Sequence, residues 1–170
     1  MTNPLQSLHI QRFKGIADAP FDVSAINVFI GANNSGKSTL AQVIHFTVGL
    51  FQSIDLANRW GNKATVALSL SPAQLLYAPC ADLYALGYGG QLIETPANAI
   101  EVSFVLADGE KIDVTIRKGR NGNIHVSVNN VMAAKALGNL ASPFTIYSPG
   151  LAGIARNEEV ISNGVLLRTI

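Results

Sequence analysis

The chain has 170 residues, 48% of them hydrophobic and 14% charged, which suits one large soluble domain with a real core. Its net charge of +1 argues against a polybasic nucleic-acid arm. The lone cysteine, Cys80, excludes an intrachain disulfide and a cysteine-rich metal site and fits a reducing cytoplasm, while the absence of a basic-then-apolar leader or a long apolar run argues against export or a membrane span.

Taken in chain order, Ser7 to Phe13 reads as a first strand. After the Lys14-Gly15-Ile16 bend and an Asp18-Ala19-Pro20 turn, Phe21 to Ser24 reads as a short second one. Ala25 to Ile30 is almost continuously apolar and predicts a buried strand of an α/β sheet. It runs into Gly31-Ala32-Asn33-Asn34-Ser35-Gly36-Lys37-Ser38, a complete G-x-x-x-x-G-K-[ST] loop. In such a loop the glycines let backbone N–H groups curl around phosphates, the lysine reaches the β and γ phosphates, and the hydroxyl serves Mg²⁺. Leu40, Val43, Ile44, Val48 and Phe51 then recur at helical spacing from Lys37, with Gly49 expected to weaken the last turn. The positive end of that helix adds to the attraction for phosphate.

From Gln52 to Ala99, Pro72, Pro79, Pro96 and the Gly87-Tyr88-Gly89-Gly90 cluster cut the chain into short pieces. Irregular structure with short helices is expected there, with a strand through Val66, Leu68 and Leu70 and a helical turn at Gln74 to Tyr77. Period-two alternation returns in Ile100-Val102-Phe104-Leu106, Ile112-Val114-Ile116 and Ile124-Val126-Val128, separated by Asp108-Gly109 and Asn121-Gly122 turns. An antiparallel β-meander over about 100–128 follows. Val131 to Leu137 predicts a short helix stopped near Gly138, and Pro143 to Tyr147 a further short strand.

A phosphate loop that supports hydrolysis is partnered by an apolar strand ending in an acid. The nearest candidate, Phe104-Val105-Leu106-Ala107-Asp108, is better read as a strand entering a hairpin turn. Asn62-Lys63-Ala64-Thr65 lacks the aspartate that pairs with guanine, which argues against a small GTPase. The segment is therefore expected to be the front part of a longer ATPase whose acidic strand lies later or on another polypeptide.

Leu8-His9-Ile10-Gln11-Arg12-Phe13-Lys14-Gly15-Ile16 followed by Ile26-Asn27-Val28-Phe29-Ile30-Gly31-Ala32-Asn33-Asn34-Ser35-Gly36-Lys37-Ser38-Thr39-Leu40 resembles the N-terminal lobe of an ABC-type, AAA-family ATPase head of the RecF, SMC and OLD grouping. The resemblance is carried by the first fifty residues and, in architecture alone, by the meander. It implies an α/β P-loop NTPase lobe binding ATP and Mg²⁺, with Gly31, Asn33, Asn34, Ser35, Gly36, Lys37, Ser38 and Thr39 at the phosphates and Ser38 on the metal. It also implies that Lys14, with Arg12 as the alternative, lies near the phosphates. The grouping's signature sequence, acidic strand and switch histidine are unmatched here, and no glutamine follows Gln91 to complete the metal shell. Binding without turnover is therefore expected of this segment. The implied partners are the remainder of the ATPase or a second head, with DNA possible in repair, chromosome maintenance or defence. A small-molecule P-loop kinase and an ATP-dependent assembly module are the rival readings.

Several other residues carry weaker signals. His45 is expected to pack a helix, Trp60 beside Arg59 to anchor packing, and Cys80 to be a small, partly buried residue. His9 and His125 fall in strands without neighbouring ligands. Arg117, Lys118 and Arg120 gather at a hairpin tip, where a solvated turn is the default and a nucleic-acid backbone contact the alternative.

Overall fold

A strand that alternates apolar and polar residues can bury one face and leave the other wet, and six such strands assemble here. The computed structural model describes residues 5–32 and 35–145. The strands are β1 (Leu5–Phe13), β2 (Ile16–Asp22), β3 (Val66–Leu70), β4 (Ile100–Leu106), β5 (Lys111–Lys118) and β6 (Ile124–Val128); the helices are α1 (Lys37–Leu56) and α2 (Val131–Leu137). They form one antiparallel sheet in the order β2-β1-β4-β5-β6-β3. The meander lies where the alternation put it. Asn121 (φ 54°) and Gly122 (φ 79°) supply the positive φ angles that a type I′ turn needs.

Leu8, Ile10, Ile100, Val102, Phe104, Ile112, Val114, Ile116, Ile124, Val126 and Val128 are buried on one face, and α1 packs over them. Phe51 sits at the crossing, 6.3 Å from the Phe104 ring and 6.2 Å from Trp60. Phe46 lies 6.3 Å from Phe13. Phe13 reaches the core because Arg12, at φ 59°, breaks the alternation one residue earlier. The buried Ser53 ties the next segment to the helix, donating to Gly49 O (2.7 Å) and accepting from Leu76 N–H (3.0 Å). Among the described residues no helix is long and apolar enough to cross a membrane.

Several expectations need correction. β2 starts directly at Ile16 and runs through the supposed Asp18-Ala19-Pro20 turn. Pro20 is tolerated because β2 is an edge strand, where a missing N–H need not pair. Gly49 does not lie in the last turn of α1, which continues to Leu56. The glycine instead admits Tyr77, whose Cβ would lie 3.5 Å from an added Cβ. The helical turn in the middle is Pro72–Gln74, set by proline in the first turn and a reciprocal Ser71–Gln74 capping box, rather than Gln74 to Tyr77. Pro143 to Thr145 are not strand, and Ile146 and Tyr147 lie outside the described residues.

The largest departure is Ala25 to Ile30. It is not a strand, and Ile26, Val28 and Ile30 are 83%, 76% and 93% exposed. The antiparallel sheet ends at β2 and β3, so no described strand offers this run backbone partners, and only Phe29 packs on a strand side chain, Phe21 of β2, among the described ring contacts. The α/β class holds as six antiparallel strands with two helices, without the expected buried strand entering the loop.

Truncating Phe51 to alanine should cost about 3–5 kcal/mol, read by chemical denaturation. His45 makes a second test. It is buried, holds Thr145 Oγ1 at 2.6 Å from Nδ1 and packs edge-on at 4.5 Å against Tyr77. Burial pushes its pKa down, so the native state resists a proton that the unfolded chain accepts. The stability involved is whole above the unfolded value of about 6.5 and is lost as pH falls through the lower folded value. Melting temperature should therefore drop between about pH 7.5 and pH 5, and His45→Gln should flatten part of that drop.

Candidate phosphate-binding site

Helix α1 begins at Lys37 with Gly36 as its N-cap, at φ 90° and ψ 2°. That left-handed conformation is costly for residues with a Cβ. No side chain caps the helix and no acidic residue occupies its first turn. The first N–H directed back along the axis is that of Leu40, onto Gly36 O at 2.9 Å. The geometry of an α-helix leaves the amides of Lys37, Ser38 and Thr39 without intrahelical acceptors, pointing out of a positive helix end. This is the donor set that an anionic ligand needs.

The preceding loop folds tightly on itself. Ser35 N–H donates to Ala32 O at 3.3 Å, and a Cβ on Gly31 would come within 2.7 Å of Ser35 Oγ. Lys37 Nζ donates to Gly31 O (2.7 Å) and Ala32 O (2.6 Å) and lies 3.2 Å from Ser35 Oγ. The ammonium is thus held across the loop by carbonyl oxygens, and phosphate oxygens must compete with them. Ser38 is exposed on the first turn, with Thr39 half-buried beside it. Asn33 and Asn34 lie outside the described residues.

Lys14 approaches from the β1–β2 bend. It adopts φ 50°, its N–H donates to Leu86 O (2.8 Å), and its carbonyl accepts from Gly89 N–H (3.2 Å). Its ammonium donates to Gln42 Oε1 at 2.9 Å. Gln42 follows Ser38 by four positions, one helical turn on the same face, so the Lys14 ammonium is tethered one turn above the Ser38 hydroxyl. Arg12, the alternative, is committed elsewhere: Nε donates to Ala99 O at 2.5 Å and Nη2 pairs with Glu101 at 2.6 Å. Gln42 was missed in the sequence, although its spacing from Ser38 was a usable signal.

A cleft of about 440 Å³ opens beside the loop, walled by Ser35, Gly36 and Lys37 on one side and by Ile16, Phe21, Val28 and Phe29 among others on the rest. Phe21 and Phe29 meet edge to face with centroids 6.1 Å apart. Among the described residues no carboxylate lines this cleft. Asp108 sits in the β4–β5 turn, accepting Glu110 N–H at 3.0 Å. Leu106, just before that turn, pairs with Leu5 at the far end of β1 from Phe13. The hairpin reading of Asp108 therefore stands. Among the described residues no cluster of three His, Cys, Asp or Glu side chains is placed to hold a metal.

Trp60, Cys80 and His9 are engaged in contacts away from this cleft. Trp60 is buried and donates from Nε1 to Asp55 at 3.0 Å. Cys80 Sγ contacts Asp82 O at 3.1 Å, and burial pushes its thiol pKa up. His9 pairs with Asp18 at 2.5 Å on the exposed face, a hydrogen bond that holds the Asp18 carboxyl below its usual range.

A family model described as an AAA ATPase domain matches residues 4–129. No curated protein matches the chain. The matched span takes in the phosphate loop, α1 and all six strands. Gly36→Ala should destabilise the protein by about 1–2 kcal/mol because the alanine must hold a positive φ, and a denaturant melt checks this. Nothing lies within 4 Å of the added Cβ, so a loss of that size reports backbone strain and not a clash.

Proposed function

The chain belongs to the AAA ATPase domain family, and on that premise we propose that it is the ATP-binding lobe of a larger ATPase head, with Mg²⁺ as cofactor. The observation that carries the reading is the convergence of the Lys37 ammonium, the uncapped positive end of α1 and the tightly folded loop beside one open cleft. The donor set fits a polyphosphate. Backbone amides and an ammonium are offered, and no acid in the first turn repels the ligand.

In this reading Gly31, Asn33, Asn34, Ser35, Gly36, Lys37, Ser38 and Thr39 hold the phosphates, and Ser38 serves Mg²⁺. The metal, when bound, neutralises charge on the phosphate oxygens. Lys37 exchanges its loop carbonyls for phosphate oxygens, and Gln42 keeps Lys14 at the same corner of α1. Among the described residues the lining carries no carboxylate to orient water, and in this reading the lobe binds ATP while the acid is supplied by another part of the ATPase. The exposed Ile26, Val28 and Ile30 support the same view, since they offer an apolar seam for the sheet that would bring it.

On the resemblance of the first fifty residues, the parent is a head of the RecF, SMC and OLD grouping. It pairs with a second head on ATP and works on DNA in repair, chromosome maintenance or defence, in the cytoplasm.

Calorimetric titration of Mg-ATP, with phosphate release followed on the same sample, tests the proposal. The wild-type chain should bind without steady release. Lys37→Ala should lose most of that affinity while keeping its melting temperature, because the contacts recorded for Nζ are with the exposed loop. Unchanged affinity in the variant would refute the site, and steady release would place an acid at the phosphates.

A further inference from the structure

The far side of the sheet from α1 is polar, and at one end it becomes basic. Arg117 on β5 pairs in register with His125 on β6, and His125 pairs in register with Ser69 on β3. Strands lie about 4.8 Å apart, so these side chains form a row roughly 10 Å long across the sheet. Beyond it the turn carries Arg120. A cleft of about 520 Å³ runs along the row, lined by Ser69, Glu94, Arg117, Lys118, Arg120 and His125 with Gly119. Arg59 lies beside it, donating from Nη1 to Ser69 O at 2.9 Å.

The cleft is held firmly. Asn123 N–H donates to Arg120 O (3.0 Å) and Gly119 N–H to Asn123 O (2.9 Å), closing the turn. Gly119 is required there, since an added Cβ would lie 2.9 Å from Asn123 O. Tyr84 OH donates to Gly119 O at 2.9 Å, and the Lys118 ammonium sits 4.7 Å above the Tyr84 ring. Among the described residues neither Arg117 nor Arg120 takes part in an ion pair. Among the described residues the two guanidinium groups are therefore presented without a directly paired carboxylate. Two guanidinium-bearing residues share the lining with one carboxylate, that of Glu94, in a chain otherwise close to charge balance, while Lys118, paired in register with the buried Ile124, turns its ammonium to the Tyr84 ring.

We propose that this cleft is a contact site for the sugar-phosphate backbone of a nucleic-acid strand. Guanidinium forks match phosphate oxygens, with Ser69 and His125 as further hydrogen-bonding groups. The length of the row suits a repeating polyanion better than a single inorganic phosphate. Among the described residues the lining has no apolar or aromatic side chain. A protein interface needs an apolar anchor, and base stacking needs an exposed ring. A phosphodiester backbone needs neither, and the contact is independent of sequence. The inference deepens the DNA-directed reading given above and rests on it.

The test is fluorescence anisotropy of a labelled oligo(dT) with the 170-residue chain, across a salt series. Arg117→Glu/Arg120→Glu should bind about tenfold or more weakly at low salt, with a salt slope shallower by about 1 to 2. Arg120→Gln, at an exposed turn position, should move the same way by a smaller factor. Glu94→Gln should tighten binding about two- to fivefold by removing the opposing charge. ATP affinity should stay unchanged in all of them. Wild-type binding that the double variant retains, with an unaltered salt slope, overturns the cleft and leaves the DNA reading standing. Absence of wild-type binding overturns both, and displacement by polyglutamate as readily as by unlabelled oligo(dT) overturns the choice of ligand.

Discussion

The burial of α1 against one face of an antiparallel sheet is the constraint on which the other features depend. A twenty-residue helix cannot rely on intrinsic propensity with Gly49, several β-branched residues and no side-chain N-cap. It is held by apolar contact along its length, from Leu40 and Val43 through Phe46 and Phe51 to Ile54, all buried. With the body of the helix fixed in this way, its first turn can keep an uncapped, uncompensated positive end. Energy from hydrophobic burial thus sustains a polar arrangement that a free helix would lose to fraying.

The same packing decides which charges are available. Arg12 and Lys14 are two residues apart in the chain and both have positive φ, yet their fates differ. Arg12 is spent on Ala99 O and Glu101 of β4, whereas Lys14 is drawn to Gln42 of α1. Arg117 and His125 are separated by a turn and meet only because β5 and β6 pair in that register. The fold therefore sorts an almost neutral chain into two separate electropositive places, one at the head of α1 and one on the polar side of the sheet.

The exposed run at 25–30 has its physical cause in the topology of the sheet. Every strand pairing in the sheet is antiparallel, and antiparallel pairs join through short hairpins that need no crossover. Such a sheet closes on its own neighbours and leaves the strand-like run before the loop with nothing to pair against. An apolar stretch of this kind is a strand only when both faces are covered. Its composition records a burial that the described residues do not provide.

Local pattern by itself determined the meander, the start of α1 and the glycine turn that precedes it, because each depends on residue spacing, turn dipeptides or a glycine at a fixed position. Asp108-Gly109 and Asn121-Gly122 mark hairpins through their own turn preference, and Gly36 marks the start of α1 by taking the left-handed conformation that a glycine admits. Tertiary structure alone decided the rest. It showed that Ile26, Val28 and Ile30 stay exposed, that Gly49 lies in mid-helix and makes room for Tyr77, and that Lys14 rather than Arg12 reaches α1. It also set Ser69 in a row with Arg117 and His125, from a strand more than forty residues earlier in the chain. These outcomes turn on which long-range surfaces meet, and periodicity along a chain specifies a face to bury without naming what will cover it.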